Sequence, residues 1–331
     1  MTTRRQFLSR VAAGLAGAAA ATMRRPAAAA SSDVYAFFVL NTQDFSYPEL
    51  SRATVERVLD LHENLGVPLD VSLTTTMTDL FAAQAPALLE RLRDSRVATV
   101  NYHTRPPQPY HTDYDWLGLS RMTSAQQYDT IMQYETHGLD LVTGQPTAAH
   151  GSFERLADLI GEAPVCVGNA SNASLQPQVD GVFGALGASM VVVNGRAANV
   201  GEKRNGLYLR PEHCDLKLFE HFGEDPATVL ATAMNDARAA DGGRAPYFVG
   251  IKMHDNDFFA EDSAWTTVYL KARRKTPNWD TARKSPLLSA DVQRGMWNLY
   301  EGTVRHAASL GSRLPLVNVR RMLDMARAVA R

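Results

Sequence analysis

The feature that most constrains the fold is a regular alternation of short apolar runs with longer helix-like segments. Residues 34–40 form a continuous apolar run of strand length, which is typical of a strand covered on both faces. Apolar side chains then recur at helical spacing over residues 51–62, and Gly66 is expected to end that helix. A second apolar run follows at residues 67–73. The order strand, helix, strand predicts parallel strands joined by right-handed crossovers.

The same unit recurs along the rest of the chain. Further strands are expected at residues 97–102, 139–143, 165–168, 189–194, 247–254 and 316–318. Further helices are expected at residues 87–92, 123–137, 152–160, 176–186, 228–240, 291–310 and 319–330. No linker divides this region, so the pattern predicts an α/β fold with one closed or nearly closed β/α barrel over residues 31–331. A doubly wound open sheet is the alternative, although no Gly-rich phosphate loop follows the first strand.

The first thirty residues are predicted to be a signal peptide rather than part of the barrel. Arg4 and Arg5 precede an apolar stretch at residues 11–23 and small residues at 27–30, a pattern typical of twin-arginine export. The apolar stretch is too short and too rich in Ala and Gly to span a bilayer stably. We therefore expect cleavage near residue 30 and a periplasmic or secreted protein without a stable membrane span.

Composition indicates a globular protein that does not bind nucleic acid. Hydrophobic residues make up 45% of the chain and charged residues 21%. The 34 Lys and Arg residues are matched by 35 Asp and Glu residues, so no general positive field attracts a polyanion. Cys166 and Cys214 lie far apart, and the sequence leaves open whether they form one disulfide or remain separate buried side chains.

Five side chains with catalytic or metal-binding chemistry follow predicted strands. Asp44 comes after the first strand, His103 ends the third, and His254 and Asp255 end the strand at residues 247–254. His111 lies eight residues after His103. Because chemistry in β/α barrels occurs at the carboxyl ends of the strands, we expect these side chains to share one site.

One Asp and two His residues are a suitable ligand set for a catalytic zinc ion. Such a site needs about three protein ligands and one open position, where the bound water becomes a nucleophile. A further histidine can protonate a leaving group. His111 can join His103 only if the chain turns within residues 106–109, because a polyproline segment extends by ~3 Å per residue.

These motifs resemble those of the polysaccharide deacetylase superfamily, the family-four carbohydrate esterases. The resemblance is carried by Asp44, by His103 and Thr104 followed by His111, by residues 253–255 and by the closing residues 316–323. It extends from residue 34 to about residue 330. The resemblance implies a single distorted (β/α) barrel with about seven parallel strands and the removal of acetyl groups from an amino sugar or polysaccharide.

The resemblance also implies a role for each residue. Asp44, His103 and His111 would bind a divalent metal, with zinc expected, while His254 and Asp255 would be catalytic and His254 would be the acid. The partner would be a carbohydrate or a small acetylated substrate. The expected function is therefore that of an exported, metal-dependent hydrolase.

Three departures from the family pattern leave alternatives open. Gln43 precedes Asp44 where the family has a second acid, and an amide cannot act as a base. The two histidines are eight rather than four residues apart, and His150 stands near the place of an expected arginine-proline motif. A metal-independent C–N hydrolase and a non-catalytic carbohydrate-binding protein that uses aromatic side chains are the two alternatives.

Overall fold

Eleven strands and nine α-helices are formed by the residues that the computed structural model describes, namely 32–112, 114–169, 171–271 and 276–329. The strands are β1 (Val34–Thr42), β2 (Leu69–Leu73), β3 (Ala98–His103), β4 (His137–Leu139), β5 (Pro146–His150), β6 (Cys166–Gly168), β7 (Met190–Val191), β8 (Lys203–Arg204), β9 (Leu207–Leu209), β10 (Cys214–Lys217) and β11 (Tyr247–His254). The helices are α1 (Pro48–Leu65), α2 (Thr75–Gln84), α3 (Pro86–Asp94), α4 (Ser124–Thr136), α5 (Ser152–Ile160), α6 (Gln176–Ala185), α7 (Pro226–Ala239), α8 (Ala290–Leu310) and α9 (Val319–Val329). The predicted signal peptide lies outside the described residues.

Nine strands form one curled sheet in the order β10-β11-β1-β2-β3-β6-β7-β9-β8. Eight of them run parallel, and β8 joins β9 as an antiparallel edge strand. No pairing joins β8 to β10 within the described residues, so the sheet is a partial barrel with helices around it. This architecture confirms the predicted distorted (β/α) barrel, with eight parallel strands instead of about seven.

Strand β1 lies at the centre of the sheet. It pairs with β11 from residue 34 to residue 41 and with β2 from residue 38 to residue 42. Phe37, Phe38 and Leu40 are fully buried, which accounts for the continuous apolar run that predicted this strand. The central position places the carboxyl end of β1 between those of β2 and β11.

Helix α1 ends where the sequence predicted. Gly66 adopts the left-handed conformation (φ 64°), and its N–H donates to the carbonyl of Glu63 at 3.3 Å. A residue without Cβ adopts this conformation at little cost, which explains why the helix stops at a glycine. The turn directs the chain into β2.

Some segments differ from the sequence-based predictions. Residues 316–318 were expected to be a strand, but they make only a bridge from Leu316 to Ala36. The strand expected at residues 139–143 is largely replaced by β4 and β5, an antiparallel ribbon outside the main sheet. Helix α2 was not predicted from the sequence. The short strands β8 to β10 were not predicted either, because strands of two to four residues give no periodic signal.

The described residues cluster as one compact unit. Cys166 and Cys214 are both free, so the disulfide that the sequence left open is not formed. Among helices α1 to α9, none combines the length and apolar composition that crossing a bilayer requires.

Candidate active site

A cavity of about 390 Å³ opens at the carboxyl ends of the parallel strands. Three histidines line it: His103 at the end of β3, His111 in the loop that follows, and His254 at the end of β11. Arg105 and Trp265 also border it. The three imidazoles therefore share one cavity at the ends of the strands.

The imidazole of His103 is held in one orientation by strand β6. Its Nδ1 atom donates to the carbonyl oxygen of Gly168 at 2.8 Å, which leaves the Nε2 lone pair free. Nε2 is buried and has no hydrogen-bond partner among the described residues. Burial, with the positive charge of Arg105 as a second cause, holds the pKa of His103 well below its usual range. His103 is therefore a neutral acceptor.

His111 returns to the cavity because the proline-rich loop turns. The N–H of Gln108 donates to the carbonyl of Arg105 at 3.2 Å, and the N–H of His111 donates to the carbonyl of Gln108 at 3.2 Å. The Nδ1 atom of His111 faces the Thr112 carbonyl at 3.2 Å, and its Nε2 is also buried without a described partner. Burial, assisted by Arg105, lowers the pKa of His111 to about 3. The site thus holds two neutral imidazoles with free Nε2 atoms.

His254 differs from the other two histidines because a carboxylate orients it. Its Nδ1 lies 3.1 Å from Oδ2 of Asp257, and its backbone N–H donates to the same oxygen at 2.7 Å. The described residues offer no hydrogen-bond partner to Nε2 of His254. With the proton on Nδ1, the pair has the arrangement in which a carboxylate orients a histidine and leaves Nε2 to exchange a proton with a substrate.

Asp255, the residue predicted to be catalytic beside His254, has a different position. Its Oδ1 accepts the backbone N–H of Gln43 at 3.1 Å. Its Oδ2 accepts the N–H of Asp44 at 3.1 Å and the hydroxyl of Ser51 at 2.7 Å. Burial raises the pKa of Asp255. Because both oxygens bind the end of β1, we assign Asp255 a structural role, and Asp257 is the partner that the sequence analysis missed.

Both carboxylate oxygens of Asp44, the expected metal ligand, also accept backbone N–H groups. Its Oδ1 accepts the N–H groups of Ser46 at 3.0 Å and Tyr47 at 3.1 Å, immediately before α1, and its Oδ2 accepts the N–H of Ala264 at 2.9 Å. Burial, with the neighbouring Asp255 charge as a second cause, raises the pKa of Asp44 to about 7. The carboxylate is fully buried and does not border the cavity.

The three expected metal ligands are consequently not assembled as one group. Across the described ranges, no three side chains of His, Cys, Asp or Glu are arranged to hold a metal ion. The free Nε2 atoms of His103 and His111 have suitable donor chemistry, but Asp44 is turned toward the start of α1 and toward Ala264. The residues present provide two of the three ligands that a catalytic zinc site requires.

Arg105 contributes a positive charge that the sequence analysis did not identify. Its Nε donates to Oε1 of Gln43 at 2.7 Å, and its Cζ lies 4.6 Å above the ring of Trp265. Gln43 is fixed in turn, because its Nε2 donates to Oδ1 of Asn256 at 3.3 Å. Burial lowers the pKa of Arg105 to about 9. Gln43, the residue before Asp44, therefore holds an arginine in place.

A second group of charges near the cavity is internally balanced. Lys252 pairs with Glu212 at 2.6 Å and with Asp215 at 2.9 Å, and Arg210 pairs with Glu212 at 2.5 Å. Arg105, in contrast, forms no ion pair with any carboxylate in the described part of the chain. The cation without an ion-pair partner therefore lies on the side of His103 and His111, and Asp255 is the carboxylate whose charge acts on it from beyond ion-pair distance.

The remaining candidate residues are His150 and the aromatic side chains near the cavity. His150 lies on β5, where its exposed ring faces Asp158 at 3.0 Å, and it does not line the cavity. Tyr114, Tyr269 and Trp279 are buried and pack together beside the cavity loops. Trp265 and Phe219 are the aromatic residues that border the cavity itself.

Comparison with known structures identifies the fold. A crystal structure described as a polysaccharide deacetylase from Mycobacterium smegmatis matches with a TM-score of 0.50 and 11% identity, over 94% of this chain and 95% of that chain. One described as a polysaccharide deacetylase from Pseudomonas aeruginosa matches with a TM-score of 0.50 and 13% identity, over 90% and 92%. A 4-alpha-glucanotransferase from Thermococcus litoralis matches with a TM-score of 0.50 and 10% identity, over 89% of this chain but 40% of that one.

At these identities the likeness is one of fold. No protein-family model and no curated protein matched the sequence. The fold expected from the motif resemblance is therefore confirmed by structure, while activity has to be argued from the site.

Proposed function

We propose that this chain, which has the fold of the polysaccharide deacetylases, is a hydrolase that removes an acyl group, most simply acetyl, from a carbohydrate or small acetylated substrate. One observation carries the proposal: three imidazoles meet at one cavity at the carboxyl ends of the strands, and one of them is oriented by a carboxylate. Site geometry of this kind supports acyl transfer to water.

His254 is proposed as the group that moves the proton. With Asp257 on Nδ1, its Nε2 can take a proton from water as the water oxygen bonds to the carbonyl carbon. The same nitrogen then returns the proton to the leaving nitrogen or oxygen as the acyl bond breaks, which yields a carboxylic acid and an amine or alcohol. The second hydrogen of that water can be accepted by the free Nε2 of His103 or of His111, which would orient it.

A divalent metal, zinc by resemblance, would lower the pKa of a bound water and polarise the carbonyl. His103 and His111 would be its ligands, but the third ligand is not provided by Asp44, whose oxygens bind three backbone N–H groups. The residues present do not complete the site. We therefore derive no step of the reaction through a metal.

Acetate release is the direct test of the proposed function. The purified protein is incubated with chitin oligosaccharides, acetylated xylan and small aryl acetates, and free acetate is measured. His254→Ala should lower kcat by about 10²- to 10⁴-fold, the usual range for loss of a general acid or base. His150→Ala, an exposed histidine on β5, is the matched control and should retain activity. Absence of turnover on every acylated substrate would contradict the proposal.

We further propose export through the twin-arginine route, motivated by Arg4, Arg5 and the apolar residues 11–23. Replacing both arginines with lysine should keep the precursor in the cytoplasm of a bacterium that has this route. Unchanged appearance of the mature protein in the periplasm or medium would contradict the proposed route.

A further inference from the structure

The guanidinium of Arg105 is held beside the two free imidazole nitrogens by fixed neighbours. Its Nε is bound to Gln43 at 2.7 Å, and its plane is supported by Trp265, whose ring lies 6.0 Å from that of His111. Nη1 has one long contact with the Thr104 carbonyl at 3.4 Å, and Nη2 has no partner in the described ranges. Two terminal nitrogens of a fixed cation thus remain for a ligand at the cavity.

Gln43 keeps that charge available. An amide oxygen accepts the Nε–H of Arg105 without neutralising the guanidinium, whereas a carboxylate at this position would form an ion pair with it. The Nε2 group of Gln43 donates to Oδ1 of Asn256, so the orientation of the amide is fixed. Gln43 therefore binds Arg105 without adding a negative charge beside it.

A divalent cation bound at the two imidazoles and this guanidinium would repel each other. Arg105 borders the cavity with His103 and His111, and its charge acts on both rings. A cation bound at the two Nε2 atoms would experience repulsion from the guanidinium and would lack the Asp44 carboxylate to offset it.

We propose that Arg105 takes the electrostatic role of a metal ion in this site, so that the reaction proceeds without a divalent cation. The carbonyl oxygen of the acyl group binds at the terminal nitrogens of Arg105. When water adds to the carbonyl carbon, the C=O π electrons move to this oxygen, and the guanidinium stabilises the resulting oxyanion until the acyl bond breaks. This inference rests on the proposed hydrolase function and supplies the electrophilic group that the function lacks.

The kinetic experiment uses Arg105→Gln, Arg105→Lys and Gln43→Glu on a neutral acetylated substrate. Arg57→Gln is the matched control, because Arg57 also stacks on a tryptophan, with Cζ 3.9 Å from the Trp297 ring, but lies outside the cavity. Arg105→Gln should lower kcat by about 10²- to 10³-fold with little change in KM. Arg105→Lys should recover part of this loss, and Gln43→Glu should lower kcat by pairing with Arg105. Arg57→Gln should keep the wild-type kcat.

The metal experiment has a readout that does not depend on activity. Wild-type protein and Arg105→Ala are freed of metal by chelation, checked by circular dichroism, and titrated with Zn²⁺ in a calorimeter. Wild type should bind Zn²⁺ at least tenfold more weakly than Arg105→Ala, and wild-type turnover should survive chelation. If the Arg105 variants fail to fold, Gln43→Glu still tests the inference, because its carboxylate would pair with Arg105 while the arginine stays in place.

Two results would overturn the inference: tight Zn²⁺ binding by wild type that restores activity lost on chelation, or an unchanged kcat in Arg105→Gln. If wild type hydrolyses no acyl substrate, the proposed function fails. The Zn²⁺ titration then still decides whether Arg105 excludes a divalent cation, so the two failures are distinguishable.

Discussion

Asp255 accepts the backbone N–H of Asp44 at 3.1 Å and thereby joins the end of β11 to the end of β1. Its other oxygen binds the N–H of Gln43, the residue that fixes Arg105. Asp255 thus affects the cavity indirectly, by holding the backbone of Gln43 and Asp44. Its substitution should affect stability first.

Asp255→Ala is expected to destabilise the fold by about 3 kcal/mol or more, because the buried backbone N–H groups of Gln43 and Asp44 lose their acceptor and Ser51 keeps only the Asp44 carbonyl. Asp255→Asn should cost less, since it retains one acceptor oxygen. Urea unfolding followed by circular dichroism measures both variants. Asp291→Ala, on the exposed first turn of α8, is the control. An Asp255→Ala protein with wild-type stability and no activity would instead support the catalytic role that the sequence suggested.

Asp257→Asn is expected to reduce kcat through His254 and to lower stability by about 1 kcal/mol or less, because the amide oxygen can still accept the backbone N–H of His254. The amide can no longer hold the Nδ1–H tautomer, and Nε2 is then less often free to accept a proton. The informative measurement is the pH profile of kcat, which should change shape in Asp257→Asn. A profile identical to that of wild type would show that Asp257 does not position His254.

Gly168→Ala tests the packing of His103 without removing the histidine. A Cβ at residue 168 would lie 2.4 Å from Nδ1 of His103, so the ring has to move and its hydrogen bond to the Gly168 carbonyl is lost. A displacement of this size should lower kcat by up to about 100-fold. Gly184→Ala in α6 is the matched control, with its nearest contact at 3.6 Å, and should raise stability by up to about 1 kcal/mol. Equal activities of the two variants would contradict the assigned role of His103.

The buried His62 makes the stability of the fold depend on pH, independently of the cavity. Burial lowers its pKa to about 4, while Val67 and Tyr300 bind its two ring nitrogens at 3.0 and 2.8 Å. Between pH 4 and 6.5 the unfolded chain binds a proton that the folded chain does not. The stabilisation is therefore complete above about pH 6.5 and is lost as the pH falls toward 4.

Comparing wild type with His62→Gln isolates the effect of His62 on the pH dependence of stability. Buried carboxylates such as Asp70 also make stability depend on pH, but they do so equally in both proteins. The difference in unfolding free energy between wild type and the variant should grow by about 3 kcal/mol from pH 4 to pH 7. Urea unfolding at several pH values measures it. A difference that stays constant over this range would contradict the assignment.

The sequence predicted the strands that are covered on both faces and the residues at their ends. Strands β1 and β11 lay where continuous apolar runs indicated, since burial on both faces leaves an unmistakable pattern. Because parallel strands end at one edge, His103 and His254 were placed in a common site without any knowledge of distance.

The directions of the side chains at those ends were not predictable. Asp44 faces the N–H of Ala264, which is 220 residues away in sequence, and no local pattern signals that contact. Arg105 stood in the proline-rich segment, but its role depends on Gln43 and Trp265 from two other segments. The spacing of three residues between His254 and Asp257 was the one signal that pointed to their pairing.

Trp265 gives the cavity a built-in optical probe. Its indole borders the cavity between Arg105 and His111, and its Nε1 has no hydrogen-bond partner in the described part of the chain. Indole emission responds to nearby charge and to water, so a bound molecule that displaces solvent or shifts Arg105 will alter the fluorescence. With the other three tryptophans replaced by phenylalanine, occupancy can be followed in real time, without a label and without turnover.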